Sequence, residues 1–258
     1  MLFRSDFGDL RKLIDWAHLC GLKAVQILPI NDTTRTGTWA DSYPYSAISV
    51  FALHPIYMDL NEWGNLPLFQ KYREQGEELN ALPQLDYERT YALKTTFLHE
   101  LFALKEKEIC TSEAYSEFVR KNKSWLDPYV SFCHKRDKYG SADFRMWPQV
   151  KAATEIEYDY YTFVQFLLFR QLSAVHKYAT EKGILLKGDI PIGVSRDSAT
   201  AWHAPHLFHF EGSAGAPPDA FAADGQNWGF PTYNWDVMAQ DNYAWWRERL
   251  KYMGQFFD

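Results

Sequence analysis

One phrase recurs along this chain and sets the terms for its fold: a segment of helical period, a glycine, a short apolar run, then a polar loop. Asp9 to Cys20 carries Leu10, Leu13, Ile14 and Ala17 on one face, with Asp9 placed to cap it, Gly21 placed to end it, and an expected strand at Ala24 to Ile30. The phrase returns as an aromatic-rich helix from about Tyr158 to Lys182, followed by Gly183 and a strand at Ile184 to Ile190. It begins a third time near Asn242, runs through YAWWRERLKYM to Gly254, and opens a strand at Gln255 to Asp258. Parallel strands need a crossover helix between them, so this rhythm predicts an α/β fold around a parallel sheet. A further strand is expected at Ile56 to Leu60.

Between the first two copies the pattern changes. Residues 66–148 are rich in Glu and Lys, and Leu93, Phe97, Leu101 and Leu104 fall near three-and-four spacing, which predicts a helical insertion with a solvated charged face. Three segments follow: 1–65 with the first strands and an aromatic loop, the insertion over 66–148, and a return of the α/β pattern over 149–258.

The loop after the later strand is the densest in information. Gly215 to Trp235, GAPPDAFAADGQNWGFPTYNW, is too rich in Gly and Pro for a helix or a central strand, and too aromatic to be disordered. A long ordered loop of this kind is usually functional. The chain as a whole carries ten Trp, sixteen Tyr and eighteen Phe, residues whose flat faces suit sugar rings as well as a core.

Composition narrows the partners. A net charge of −6 without a basic cluster argues against nucleic acid, and no apolar run is long enough for a membrane span or a signal peptide. Cys20, Cys110 and Cys133 form no CxxC pair, the usage expected of reduced thiols in a cytoplasmic protein. His203, His206 and His209 have a spacing that invites a metal, but Pro205 interrupts any helix there and no carboxylate follows at ligand spacing, so neither metal nor cofactor is expected.

Three stretches together resemble one family. PPDAF at Pro217 to Phe221 with GQNWGFPTYNW at Gly225 to Trp235, DSYPYSAISVFALHP at Asp41 to Pro55, and KGDIPIGV at Lys187 to Val194 are similar, in family order, to segments of the 4-α-glucanotransferases, the amylomaltases and disproportionating enzymes of glycoside hydrolase family 77. The resemblance implies the N-terminal portion of a (β/α)8 TIM barrel, whose site is built from the loops after the strands. It implies transfer of α-1,4-glucan segments between maltooligosaccharides or starch- and glycogen-like glucans by retaining double displacement. His54 and Gly193 depart from the commoner family pattern and, with NDTT after the first strand, resemble the cytosolic disproportionating-enzyme subgroup.

The same resemblance assigns roles by position. Tyr45, Asp219, Gly225, Gln226, Trp228 and Tyr233 are the expected substrate-binding residues, and Asp189 supports the site from its strand end without reacting. For Asp219 the residue type alone fits an Asx-turn equally well, and for most aromatics the core is the bland alternative. The nucleophile and the acid/base are expected beyond Asp258, so the chain by itself is expected to be inactive and to self-associate through exposed barrel edges. A retaining α-glucan hydrolase and a non-catalytic glucan-binding protein are the competing readings.

Overall fold

The computed structural model describes residues 6–148 and 159–258. Helix α1, Phe7–Leu19, starts at Asp6, whose Oδ1 accepts from the Asp9 N–H at 3.1 Å; the cap is therefore three residues earlier than expected, and Asp9 supplies the acidic first turn. Gly21 ends the helix at positive φ, and strand β1, Ala24–Gln26, follows.

From there to residue 63 the chain is loop and 3₁₀ turn. The segment Ile56 to Leu60 is not a strand, and the reason is visible. Pro55 opens a 3₁₀ turn capped by the His54 imidazole, and the carbonyls of Ile56 and Met58 are taken by the buried Lys94 ammonium at 2.6 and 2.8 Å, leaving no ladder to extend. Lys94 also meets Asp6 at 3.5 Å in the interior. Burial drives the Asp6 carboxyl up to about 6 and the Lys94 ammonium down, each charge opposing the other's shift.

Three long helices come next: α2, Pro67–Ala81; α3, Tyr87–Cys110; and α4, Glu113–Tyr139. The break between α3 and α4 falls at Ser112, whose hydroxyl caps Tyr115 N–H, and α4 then runs through Lys123 and Pro128 without interruption. Leu93, Phe97 and Leu101 are buried as their spacing predicts, whereas Leu104 is exposed. Helix α5, Tyr160–Glu181, begins at Asp159 and ends at Gly183, again at positive φ; the expected start at Tyr158 and the boundary at 149 lie outside the described residues. Eight of its side chains between Phe163 and Ala179 join the same core as α1, α3 and α4. Side chains as fully enclosed as Phe97, Phe132 and Phe163 contribute about 1.5–3 kcal/mol each by burial.

Strand β2, Leu185–Lys187, lies parallel to β1 with Ala24 opposite Leu185 and Gln26 opposite Lys187. Both strands are shorter than expected. Val25 and Leu186 are buried on one face, while Ala24, Gln26, Leu185 and Lys187 are exposed on the other. Beyond β2 come α6, Ala199–His203, and the antiparallel pieces β3, Phe208–His209; β4, Gly215–Ala216; β5, Gln226–Asn227; and β6, Thr232–Tyr233. β3 pairs with β6 and β4 with β5. Helices α7, Trp235–Gln240, and α8, Ala244–Met253, lead to the end. Gln255 to Asp258 is not a strand: the contact there is the backbone N–H of Asp258 donating to Leu186 O at 3.0 Å, while Leu186 N–H donates to Asp258 Oδ2 at 2.9 Å.

Candidate active site

The loop after β1 is shaped by a carboxylate. Asp41 is buried, and its Oδ2 accepts from the backbone N–H groups of Arg35, Thr36 and Gly37 at 3.1, 2.8 and 2.7 Å. That wraps residues 35–41 around one anion and sends the chain into Tyr43, Pro44 and Tyr45. Tyr43 and Tyr45 lie ring to ring, with centroids 5.5 Å apart.

The Tyr45 hydroxyl donates to Asp189 Oδ2 at 2.7 Å. Residues 144 positions apart, one from each post-strand loop, thus meet in one hydrogen bond. Holding its proton against the Asp189 carboxylate raises the Tyr45 phenol's pKa. Asp189 opens the run Asp189 to Val194, whose carbonyls are also held: Arg249 donates to Pro191 O, and Tyr233 Oη donates to Ile192 O at 2.5 Å.

Arg249 is fully buried between the rings of Trp245 and Trp246, its guanidinium carbon 5.6 and 4.9 Å from their centroids. Burial brings it down to about 10. Tyr233 is set in the same cluster, with Phe208, Trp235, Trp245 and Trp246 all within 5.8 Å, and burial pushes its phenol up to about 12.

The other expected binding residues form the hairpin of β4 and β5. Asp219 Oδ1 accepts from the N–H groups of Phe221 and Ala222 at 2.8 and 2.7 Å, an Asx-turn at the tip. Gly225 has φ +73°, and a Cβ there would stand 2.6 Å from Ala216 O, so this glycine serves the closure of the hairpin on itself. Gln226 Oε1 accepts from Trp228 Nε1 at 2.9 Å, locking the indole to its neighbour while 41% of Trp228 stays in solvent.

The structure therefore gathers the residues in pairs: Tyr45 with Asp189, Gln226 with Trp228, Asp219 and Gly225 in the hairpin turn, and Tyr233 at its aromatic base. A cavity of about 730 Å³ elsewhere, walled by Phe118, Trp125 and Tyr252, includes none of them.

One residue central to this arrangement has no signal in the sequence. Arg196 sends Nε to Gly229 O at 2.8 Å, Nη1 to Phe210 O at 2.6 Å, and Nη2 to Gly212 O and to Ser213 Oγ. A single guanidinium thus ties both ends of the hairpin to the segment after Asp189. Only its place seven residues beyond Asp189 could have drawn notice. Gly193 is also explained: a Cβ there would fall 2.4 Å from the Phe230 ring, so the missing side chain is the seat of a loop phenylalanine. His203, His206 and His209 end up on three separate elements, and among the described residues no group of three His, Cys, Asp or Glu side chains could hold a metal. No described helix is long and apolar enough to cross a membrane.

Known proteins bear on this geometry. The family model for 4-alpha-glucanotransferases of glycoside hydrolase family 77 matches residues 4–258. The 4-alpha-glucanotransferase DPE2 of Oryza sativa subsp. japonica is 39% identical over 98% of this chain, which covers 28% of that protein. The 4-alpha-glucanotransferase of Chlamydia muridarum is 35% identical over 98% of this chain, which spans half of its length. Among solved structures, the amylomaltase from Streptococcus agalactiae in complex with acarbose superposes on the whole chain with a TM-score of 0.83 at 25% identity, the match covering 55% of that protein. The fold is accordingly the N-terminal part of the amylomaltase barrel, with helices laid beside it.

Proposed function

The chain belongs to the 4-alpha-glucanotransferase family, and from that premise we propose that its two post-strand loops bind α-1,4-glucan for transfer between maltooligosaccharides or starch- and glycogen-like chains by retaining double displacement. The observation that carries the reading is the Tyr45–Asp189 hydrogen bond, because it joins two separately similar segments at the mouth of the parallel strands, where barrel enzymes build their sites. The acarbose complex of the streptococcal amylomaltase supports a glucan-like ligand for this fold.

In this reading Tyr45 presents a ring to a sugar and Asp189 fixes it. Trp228 and Gln226 act as one platform, the indole for an apolar sugar face and the amide for a hydroxyl. Tyr233 belongs to the base that aims the hairpin, and Asp219 and Gly225 set its tip. Retention requires two carboxyl groups about 5–5.5 Å apart, one a nucleophile and one a proton donor. Asp189 is engaged by Tyr45, Asp219 caps a turn and Asp258 accepts from the backbone of β2, structural duties that support the reading in which the reacting pair is not among these three. The chain alone then binds glucan without turning it over. Soluble operation in the cytoplasm and self-association through the bare face of the β1–β2 sheet belong to the same proposal.

Mass spectrometry of maltotriose products tests it. A ladder of shorter and longer glucans is expected from a fusion that adds the remaining barrel of a full-length relative, and none from the 258-residue chain. A ladder from the chain alone would return Asp189 or Asp219 to the reaction. Glucose and maltose without longer products would mean hydrolysis, and silence from both alongside saturable binding would mean a glucan-binding protein.

A further inference from the structure

The run from Asp189 to Val194 has no regular secondary structure, and among the described residues no backbone–backbone hydrogen bond reaches it. Lys187 O, before the run, accepts from Ile27 N–H, and Ser195 N–H, after it, donates to Ala47 O. Between those two bonds the main chain is held by side chains. Arg249 Nη2, from α8, donates to Pro191 O, and Tyr233 Oη, from β6, donates to Ile192 O at 2.5 Å. The rings of Phe257 and Phe230 also press on Gly188 and Gly193. Such packing is non-directional, whereas a hydrogen bond orients the peptide that accepts it.

Burying a guanidinium there is unfavourable by itself. Arg249 is 0% exposed, and among the described residues its Nε and Nη1 have no hydrogen-bond partner. The titratable group that bears on it is the Tyr233 phenol, not a carboxylate. Trp245 and Trp246 give its charge ring faces at 5.6 and 4.9 Å in place of an anion. An apolar side chain of similar volume would serve the packing better, because a buried charge without an ionised partner is destabilising. What the guanidinium does that an apolar residue cannot is grip Pro191 O, two residues beyond Asp189.

We propose that Arg249 is a positioning residue for glucan binding: by orienting the Pro191 peptide it sets the direction of the Asp189 carboxylate, and Asp189 sets the Tyr45 ring through their 2.7 Å hydrogen bond. Being buried, Arg249 does not touch the sugar itself. The ligand in this statement rests on the transferase reading; the hold on Tyr45 does not.

Two readouts keep the inference and that reading apart. The first is the Tyr45 phenol, followed on raising the pH as the absorbance difference between a protein and its Tyr45→Phe variant. Asp189 and Tyr43 are the groups that bear on this phenol, and the bond to Asp189 holds it above its ordinary 10. Arg249→Met keeps a stem between the two indoles and removes the donor, so the melting temperature should hold or rise while the Tyr45 titration falls back toward 10. The second is calorimetric affinity for maltotriose in a cycle of Arg249→Met with Tyr45→Phe. Each single variant should bind about tenfold more weakly, and the double variant no more weakly than either, because both break one chain of contacts. A Tyr45 titration unmoved by Arg249→Met, or losses of affinity that simply multiply, would overturn the proposal. If the wild type does not bind maltotriose, the transferase reading fails and the Tyr45 titration alone decides the role of Arg249. If Arg249→Met does not fold, Arg249→Gln, too short to reach Pro191 O, takes its place in both measurements.

Discussion

Trp228 and His54 show how differently two rings in neighbouring motifs are used. Trp228 is 41% exposed and held by Gln226, so Trp228→Ala should cost under about 1 kcal/mol in a chemical melt. Its loss should nonetheless weaken maltooligosaccharide binding about tenfold by calorimetry; equal damage to both would assign the indole to the core. His54 is fully enclosed. Its Nδ1 accepts from Ile56 N–H, which leaves Nε2–H to donate to Tyr87 Oη at 2.9 Å, and burial depresses it below its ordinary 6.5. Protonation would set a new N–H against that of Ile56. The unfolded chain therefore takes up the proton first, and the stability His54 provides is present above pH 6.5 and lost as pH falls below it. Asp6, raised to about 6, runs the other way, losing its contribution as pH rises through that value. The comparison that isolates His54 is wild type against His54→Asn: urea melts should show the variant losing less stability on acidification, by up to about 1.4 kcal/mol per pH unit. An identical acid slope would mean His54 is already charged in the folded state. At this scale the sequence singled out Tyr45 and Asp189 separately, as polar residues in post-strand loops, and what it did not carry was the hydrogen bond that joins them. It carried Arg196 poorly, since an arginine that binds carbonyls far along the chain leaves no periodic trace.

Among the elements, helices were the legible part, and strands were not. α1 and α5 follow their apolar spacing and end where a glycine takes positive φ, both local events. Strand length is decided by partners. Ile56 to Leu60 looks like a strand until Lys94, from another element, claims its carbonyls. The hairpin was legible as ordered but not in its pairing, which depends on Gly225 admitting Ala216 O and on Arg196 binding four oxygens across it. A lysine has one charged centre and cannot make that fork, so Arg196→Lys should leave the global melt nearly unchanged and speed amide exchange at Trp228 and Gly229 about tenfold or more. Unaltered exchange there would show that the β4–β5 and β3–β6 pairs hold the hairpin unaided.

For the molecule as a whole, the parallel repeat and the three family segments were sufficient to name the architecture, while the extent of sheet was overestimated. β1 and β2 cover one face with Val25 and Leu186 and leave the other bare, with Leu28 59% and Leu185 56% exposed. The two leucines make an apolar patch on a face shared with Gln26 and Lys187, and such a patch favours association. Sedimentation velocity should show the weight-average size rising with concentration, and Leu185→Lys should reduce that rise; a concentration-independent monomer would show that the bare face is tolerated.

The Arg196 tether has a bearing on how such a protein changes over generations. Three of its four bonds go to main-chain carbonyls, so they ask nothing of the side chains at 210, 212 and 229. The hairpin tip from Pro217 to Asp224 is free of any part in that tether, and Phe221, at 98% exposure, has no role in packing. The tip is in effect a replaceable cartridge on a fixed mount: its composition can drift, or be exchanged by design, with the barrel left as it is. Another sequence could be grafted between Ala216 and Gly225 with no redesign of the scaffold beneath.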